Sequence, residues 1–188
     1  MTATFDIGAL TLGEVFTSGK GSKSVPVSYG GRTITWTPDF QKVAFEPSAF
    51  NGEDVARVNL VMNATPEVND TLCELDERLC ILAAESSAKI FGKTLTLLEV
   101  QQRFTSSIKF SEKGYESTFK CKINLAGRGE VQCWDLAKAK RSQPTVWIRC
   151  TVQPKITLKN LWIMGKTWGC LYECGNVLID EVGEECPF

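Results

Sequence analysis

The stretch KNLWIMGKTWGCLYECGNVLI, residues 159–179, decides the fold of this chain. Strand-forming residues flank the pair Gly165-Lys166, which is typical of a tight turn. The pattern therefore predicts two strands, 158–164 and 168–179, that form one hairpin. Within it, Trp162 and Trp168 are expected to face each other across the turn.

A second strand signal lies upstream, over residues 117–125, where apolar and polar residues alternate strictly. One face carries Phe119, Cys121, Ile123 and Leu125, and the other carries Thr118, Lys120, Lys122 and Asn124. Such a sheet buries one face and shows lysines and indoles on the other. Because ammonium groups neutralise phosphates and flat rings accept unstacked bases, the pattern suits a single nucleic-acid strand.

The rest of the chain has strand patterns that a helical pattern interrupts near the middle. Strands are predicted over 24–28, 32–36 and 55–63, and again over 130–134 and 145–152. Between the two groups, capping boxes at Thr71–Glu74 and Thr96–Glu99 begin two helices, which end at Gly92 and near Phe104. The predicted fold is mainly β (α+β), an OB-like Greek-key barrel with a helical insertion of two helices around residues 70–105.

The composition excludes several kinds of site. The 188 residues contain no histidine, which removes every His-based nucleophile pair, general base and metal ligand. No Cys-x-x-Cys pair occurs and no clustered Asp-x-Asp or Asp-x-Glu stands out, so no catalytic residue, metal site or cofactor is predicted and the chain is not expected to be an enzyme. A nuclease with a magnesium ion held by carboxylates is the minority alternative. A net charge of −1 means that a polyanion would have to bind a local basic patch.

The N-terminus carries no visible secretory signal, and no apolar run reaches the length of a membrane span. The eight cysteines are therefore expected to be reduced thiols, several of them at inward positions. These observations predict an intracellular protein that is neither secreted nor held in a membrane.

Several short motifs occur in an order that resembles a known family. They are Tyr29-Gly-Gly-Arg32, Thr35-Trp-Thr-Pro-Asp39, Leu75-Asp-Glu77, Phe91-Gly-Lys93, Lys113-Gly-Tyr115, Phe119-Lys-Cys-Lys122, Leu161-Trp-Ile163 and Lys166-Thr-Trp-Gly169. In this order the chain is similar to a family of single-stranded DNA-binding proteins carried by large eukaryotic DNA viruses.

The resemblance implies an OB-like barrel that binds single-stranded DNA, largely without sequence preference, in viral DNA replication, recombination or repair. It implies a location in the host cell nucleus or a cytoplasmic virus factory. The expected partners are single-stranded DNA or RNA and replication proteins, with a homo-oligomer left open. The alternative is a structural or scaffolding viral protein that uses the barrel for protein–protein contacts, and the near-neutral charge favours it.

Residues 1–179 are expected to form one domain, followed by a short acidic tail at 180–188. The tail, Asp180-Glu-Val-Gly-Glu-Glu-Cys-Pro-Phe188, resembles the acidic tip of bacterial single-strand-binding proteins. This second resemblance implies that Glu184, Glu185, Pro187 and Phe188 bind a replication protein. A solvated tail with no partner is the alternative.

The predicted nucleic-acid-binding residues are cations and aromatic side chains on strands or in turns. They are Lys109, Lys113, Tyr115, Lys120, Lys122, Arg128, Trp147, Arg149, Trp162, Lys166 and Trp168. Trp36 and Trp134 are assigned to packing, the commoner role of tryptophan. Two alternatives stay open: the helical insertion covers the tryptophans, or DNA contacts the loop with Lys138, Lys140 and Arg141 instead.

Overall fold

The computed structural model describes residues 5–19, 21–49, 56–111 and 113–181. Its strands are β1 (Leu10–Leu12), β2 (Phe16–Thr17), β3 (Lys23–Tyr29), β4 (Arg32–Trp36), β5 (Gln41–Ser48), β6 (Arg57–Asn63), β7 (Phe104–Thr105), β8 (Ile108–Lys109), β9 (Thr118–Asn124), β10 (Gln132–Trp134), β11 (Lys140–Arg141), β12 (Cys150–Met164) and β13 (Thr167–Glu181). The helices are α1 (Pro66–Glu85), α2 (Ser87–Phe91) and α3 (Leu97–Gln101), and short 3-10 turns occupy Ile7–Ala9 and Trp147–Arg149.

Five of these strands close into a barrel. β5 pairs with β6 and β6 with β9; β9 meets β13, β13 pairs with β12, and β12 returns to β5. Every pair in the ring is antiparallel except β9–β13, which is parallel and joins Lys122 to Glu173. A five-stranded ring with helices inserted between its strands is an OB-like barrel. The predicted fold class is confirmed.

The long strand β12 connects the barrel to a side sheet. One of its edges pairs with β13 along almost its whole length. The other edge meets β5 at residues 151–152, β4 at 156–158 and β3 at 160–163. β2 pairs with β3 in turn, so this short N-terminal strand lies two strands away from the C-terminal hairpin.

The alternation seen in the sequence decides which side chains fill the barrel. β9 buries Phe119, Cys121 and Ile123, and the paired strand β6 buries Val58, Leu60 and Met62. Helix α1 adds an apolar stripe formed by Val68, Leu72, Leu75, Leu79 and Ala83. The outward residues of β6 and β9 are thereby left on the surface of the barrel.

A buried carboxylate ties α1 to the strands. Asp76 accepts hydrogen bonds from the Ser106 hydroxyl at 3.0 Å, the Ser107 backbone N–H at 2.8 Å and the Ser107 hydroxyl at 2.6 Å. Burial raises the pKa of the Asp76 carboxyl above its usual value, and the bonds from Ser107 and Ser106 oppose that rise only in part. The Ser107 hydroxyl also lies 3.1 Å from the Tyr172 hydroxyl on β13.

The helical insertion differs from its prediction at its start. Helix α1 begins at Pro66, not at Thr71, because Pro66 occupies the first turn, where a missing N–H costs nothing. The expected capping box at Thr71–Glu74 therefore lies inside the helix. The first predicted helix is also interrupted at Ser86, between α1 and α2, so the insertion contains three helices where two were predicted. The capping box at Thr96–Glu99 and the left-handed Gly92 are confirmed.

None of the helices in the described ranges has the length and apolar character needed to cross a membrane. Within the same ranges, no group of three or more Cys, Asp or Glu side chains is placed to hold a metal ion. The cysteines of the described part are free thiols. Burial raises the pKa of Cys80 to about 12 and that of Cys133 to about 11.

Candidate nucleic-acid interface

The outer side of β6, β9 and β8 presents the predicted lysines in neighbouring rows. Lys109 on β8 pairs with Thr118, and Lys120 and Lys122 follow along β9 at intervals of two residues. On the other edge of β9, Lys120 pairs with Val61 of β6 and Lys122 pairs with Asn59. Lys109 and Lys120 are exposed, and Lys122 is half-buried. Strand pairing therefore brings three predicted cations together on one face.

Beyond Lys122 the same face continues onto β13 at Glu173. The Glu173 carboxylate accepts a hydrogen bond from the Arg57 guanidinium on β6, and Lys159 Nζ on β12 lies 3.6 Å from its Oε2. Arg57 and Lys159 were not predicted, because the sequence does not show that strands so far apart converge here. A charged cluster thus sits where four strands meet.

Trp162 lies farther along this surface. It pairs with Gly169 on β13, and its Cζ2 would lie 2.8 Å from a Cβ built on that glycine. Its Nε1 donates to the Cys170 carbonyl at 3.3 Å, which fixes the orientation of the indole. The ring is only half-buried. The sheet therefore supports one side of an indole whose remaining surface faces solvent.

Phe16 completes an aromatic groove that sequence reasoning missed. Phe16 on β2 pairs with Ser24, and Ser24 pairs with Trp162, so the three residues lie in one row. The Phe16 side chain is 59% exposed. With Trp162 it lines a groove of about 390 Å³ to which Lys23 and Asn160 also contribute. The only signal in the sequence is one apolar residue in a two-residue strand, which is too short to be recognised.

Trp168 does not belong to this surface. Trp162 pairs with Gly169, while Trp168 pairs with Ile163, so the two indoles point to opposite faces of the hairpin and do not face each other. Trp168 is 0% exposed, packs against Phe91 and Phe104, and donates from Nε1 to the Val100 carbonyl at 2.9 Å. The alternative that the helical insertion covers a tryptophan is correct for Trp168.

Trp147 is also a core residue, contrary to its predicted place on a polar strand face. The Glu46 carboxylate accepts hydrogen bonds from the backbone N–H groups of Trp147, at 3.1 Å, and Ile148, at 2.8 Å. These bonds cap a 3-10 turn where the sequence predicts a strand, and the turn buries Trp147 and exposes Ile148. Arg149 is exposed in the same turn, which packs against β5.

The remaining predicted residues lie in connections at the ends of strands. Lys113 and Tyr115 are exposed between β8 and β9, Arg128 is exposed after β9, and Lys166 is exposed in the β12–β13 turn. Trp36 is buried as predicted. Trp134 is half-buried and donates from Nε1 to Asn176 Oδ1 at 3.1 Å. Glu184, Glu185, Pro187 and Phe188 lie outside the described residues.

No protein-family profile and no curated protein matches the sequence. Solved structures do match. The single-stranded DNA-binding protein from bacteriophage Enc34, in complex with ssDNA, superposes with a TM-score of 0.51 at 9% identity, covering 94% of this chain and 98% of that one. A C-terminal truncation of the Enc34 protein gives 0.51 at 10% identity, with coverages of 90% and 96%.

The single-stranded DNA-binding protein gp2.5 encoded by bacteriophage T7 gives a TM-score of 0.50 at 15% identity, covering 81% of this chain and 94% of that one. The fold is that of phage single-stranded DNA-binding proteins. At these identities the likeness concerns the fold alone. It supports the fold that the predicted resemblance implies, and no finding supports an origin in large eukaryotic DNA viruses.

Proposed function

We propose that this protein binds single-stranded DNA, largely without sequence preference, along the outer face that runs from Lys109 to Phe16. The observation that carries the proposal is the arrangement of this face. It combines the lysine rows of β8 and β9 on the barrel with the Trp162–Phe16 groove, which lies where β12 of the barrel meets the side sheet. The fold it shares with the phage single-stranded DNA-binding proteins supports the same ligand.

The two halves of the face suit the two parts of a nucleotide. Lysines neutralise phosphates and release their condensed counterions, which makes binding weaken as salt rises. Exposed rings stack on unpaired bases, each contributing about 1–3 kcal/mol with little regard to base identity. Because the net charge is only −1, this attraction has to come from the local patch.

We extend the proposal to the setting of this activity. The protein acts in viral DNA replication, recombination or repair, as a single domain over residues 1–179 with no enzymatic activity. Its acidic tail recruits a replication protein through Glu184, Glu185, Pro187 and Phe188. The bacteriophage origin of the matching structures supports a viral role. The scaffolding alternative is not favoured, because those structures are DNA-binding proteins.

The test is a titration of a fluorescent oligo-dT with the protein at low and moderate salt. The double variant Lys120→Glu with Lys122→Glu should bind more weakly. The slope of log K against log salt should also be flatter by about one to two, because two phosphate contacts are lost. The matched control is Lys138→Glu with Lys140→Glu, which reverses two charges on the exposed β10–β11 hairpin.

Two outcomes would overturn the proposal. Absence of binding by the unaltered protein at micromolar concentration and low salt would refute single-strand binding itself. Weaker binding by the control variant with full binding by the β9 variant would place the DNA on the β10–β11 hairpin.

A further inference from the structure

The Asn160 side chain carries an unused hydrogen-bonding group at the wall of the aromatic groove. Asn160 lies two residues before Trp162 on β12 and lines the same groove of about 390 Å³. Its Oδ1 is shut off from solvent, and among the described residues no donor lies within hydrogen-bonding distance of it. A buried carbonyl oxygen in this state raises the free energy of the folded protein.

The strand register explains why this amide has no partner. Asn160 pairs with Pro26 on β3 and with Leu171 on β13. Neither neighbour has a polar side-chain group, and the proline also lacks a backbone N–H. An apolar side chain of similar size would avoid the cost of the unpaired oxygen. The stability of the fold therefore does not account for asparagine at this position.

The groove beside Asn160 has the dimensions of a site for one base. Ser24 separates Phe16 from Trp162 in their row. Because neighbouring strands lie about 4.7–4.9 Å apart, the backbones that carry the two rings are roughly 9–10 Å apart, and a base stacked about 3.4 Å from one ring fits within that spacing. Asn160 follows roughly 6–7 Å along the same face of β12, where its amide can reach the edge of such a base.

We propose that Asn160 binds the hydrogen-bonding edge of the unpaired base that occupies the Trp162–Phe16 groove. The inference rests on the proposed single-strand binding and names the group of the DNA that this groove recognises. Rotation of the amide about its terminal bond brings either Oδ1 or Nδ2 toward the base. Every base has a donor and an acceptor on its Watson–Crick edge, so the amide pairs with each of them without selecting a sequence. In a duplex the opposite strand uses those edges, so the contact favours single strands.

The test compares the Asn160→Leu variant with the unaltered protein on two oligonucleotides of equal length. One is oligo-dT, and the other carries difluorotoluene in place of every thymine, which keeps the shape of the base and removes its hydrogen-bonding groups. The variant should bind oligo-dT about twofold to tenfold more weakly, because one hydrogen bond is lost. Both proteins should bind the difluorotoluene strand equally. In urea the variant should be at least as stable as the unaltered protein, since a buried amide without a partner is removed.

Asn176→Leu is the matched control. Asn176 lies on β13, and its Oδ1 accepts a hydrogen bond from Trp134 Nε1 at 3.1 Å. This substitution removes an amide that has a partner, so it should lower the free energy of unfolding and leave oligo-dT binding unchanged. The same change at the two asparagines should therefore affect binding at Asn160 and stability at Asn176.

Two outcomes would overturn the inference. One is full oligo-dT binding by a folded Asn160→Leu protein. The other is equal weakening on oligo-dT and on the difluorotoluene strand, which would indicate an altered groove shape and not a lost hydrogen bond. If Asn160→Leu does not fold, Asn160→Ala, which adds no bulk to the groove, is measured on the same two strands. Absence of oligo-dT binding by every protein, the unaltered one included, would instead refute the proposed function.

Discussion

Trp162 and Gly169 are in direct contact across the C-terminal hairpin, with no room for a side chain on the glycine. A Cβ at Gly169 would lie 2.8 Å from Trp162 Cζ2 and 3.0 Å from the Thr105 carbonyl oxygen. The carbonyl belongs to the backbone of β7 and cannot turn away as a side chain can. The indole therefore keeps its position only because residue 169 is glycine.

The first prediction follows from this contact. Gly169→Ala should lower the free energy of unfolding by about 1–3 kcal/mol and weaken oligo-dT binding, because the added methyl overpacks the site and moves Trp162. Gly175→Ala on the same strand is the control, since a Cβ there meets nothing within 4 Å. Urea unfolding and the titration measure both effects. Equal stability of the two variants would show that the Trp162–Gly169 contact does not constrain the side chain at residue 169.

Substitution of the two hairpin tryptophans should change different properties, stability for Trp168 and DNA binding for Trp162. Trp168→Ala should cost about 3–5 kcal/mol of unfolding free energy, because it empties a core site between Phe91 and Phe104. Trp162→Ala should instead cost about 1–3 kcal/mol of oligonucleotide binding and much less stability. Denaturation curves and titrations of both variants test this division, and a reversed pattern would contradict the assignment of the two faces.

The buried Asp76 predicts a dependence of stability on pH. Its pKa is raised in the folded protein, so between its usual value and the folded value the native state binds more protons than the unfolded state. The contribution of Asp76 to stability is therefore fully present at low pH and decreases as pH rises through this interval. The free energy of unfolding, measured by urea unfolding from pH 4 to 7, should therefore change less with pH in the Asp76→Asn variant. An identical slope in both proteins would contradict the prediction.

The buried cysteines Cys80 and Cys133 should be unreactive in the native state. Burial raises the pKa of Cys80 to about 12 and that of Cys133 to about 11, so these two thiols are almost entirely protonated at pH 8. A colorimetric thiol reagent should detect few groups in the folded protein and all eight cysteines after denaturation. A count well below eight in the denatured protein would reveal disulfides and contradict the prediction of reduced thiols.

Most of the fold could be predicted because its signals are local. The strict alternation around Lys120 identified both β9 and its inward face, and the Gly165-Lys166 turn located the long hairpin. Errors arose where tertiary contacts override local pattern. Glu46, a hundred residues away in the chain, caps the turn that replaces the predicted strand at Trp147.

The candidate site was harder to predict than the fold. Lys109, Lys120 and Lys122 were found because they share strands with a clear period. Phe16 was missed because it joins the surface only through the pairing of β3 with the distant strand β12, and Arg57 because it does so through its contact with Glu173 on β13. Trp162 and Trp168 have similar sequence surroundings, and only the register of the hairpin assigns one to the surface and the other to the core.

The closure of the barrel has a consequence for the order of folding. The β12–β13 hairpin joins neighbours across a two-residue turn and can form within microseconds. The ring closes only when Gln41 pairs with Val152 and Lys122 pairs with Glu173. Because these residues are far apart in the chain, each pairing has a larger entropic cost of loop closure than the hairpin does. Amides of the hairpin should therefore gain protection first in pulsed hydrogen exchange. The surface proposed to hold DNA includes the β9–β13 pairing, so this surface is assembled last.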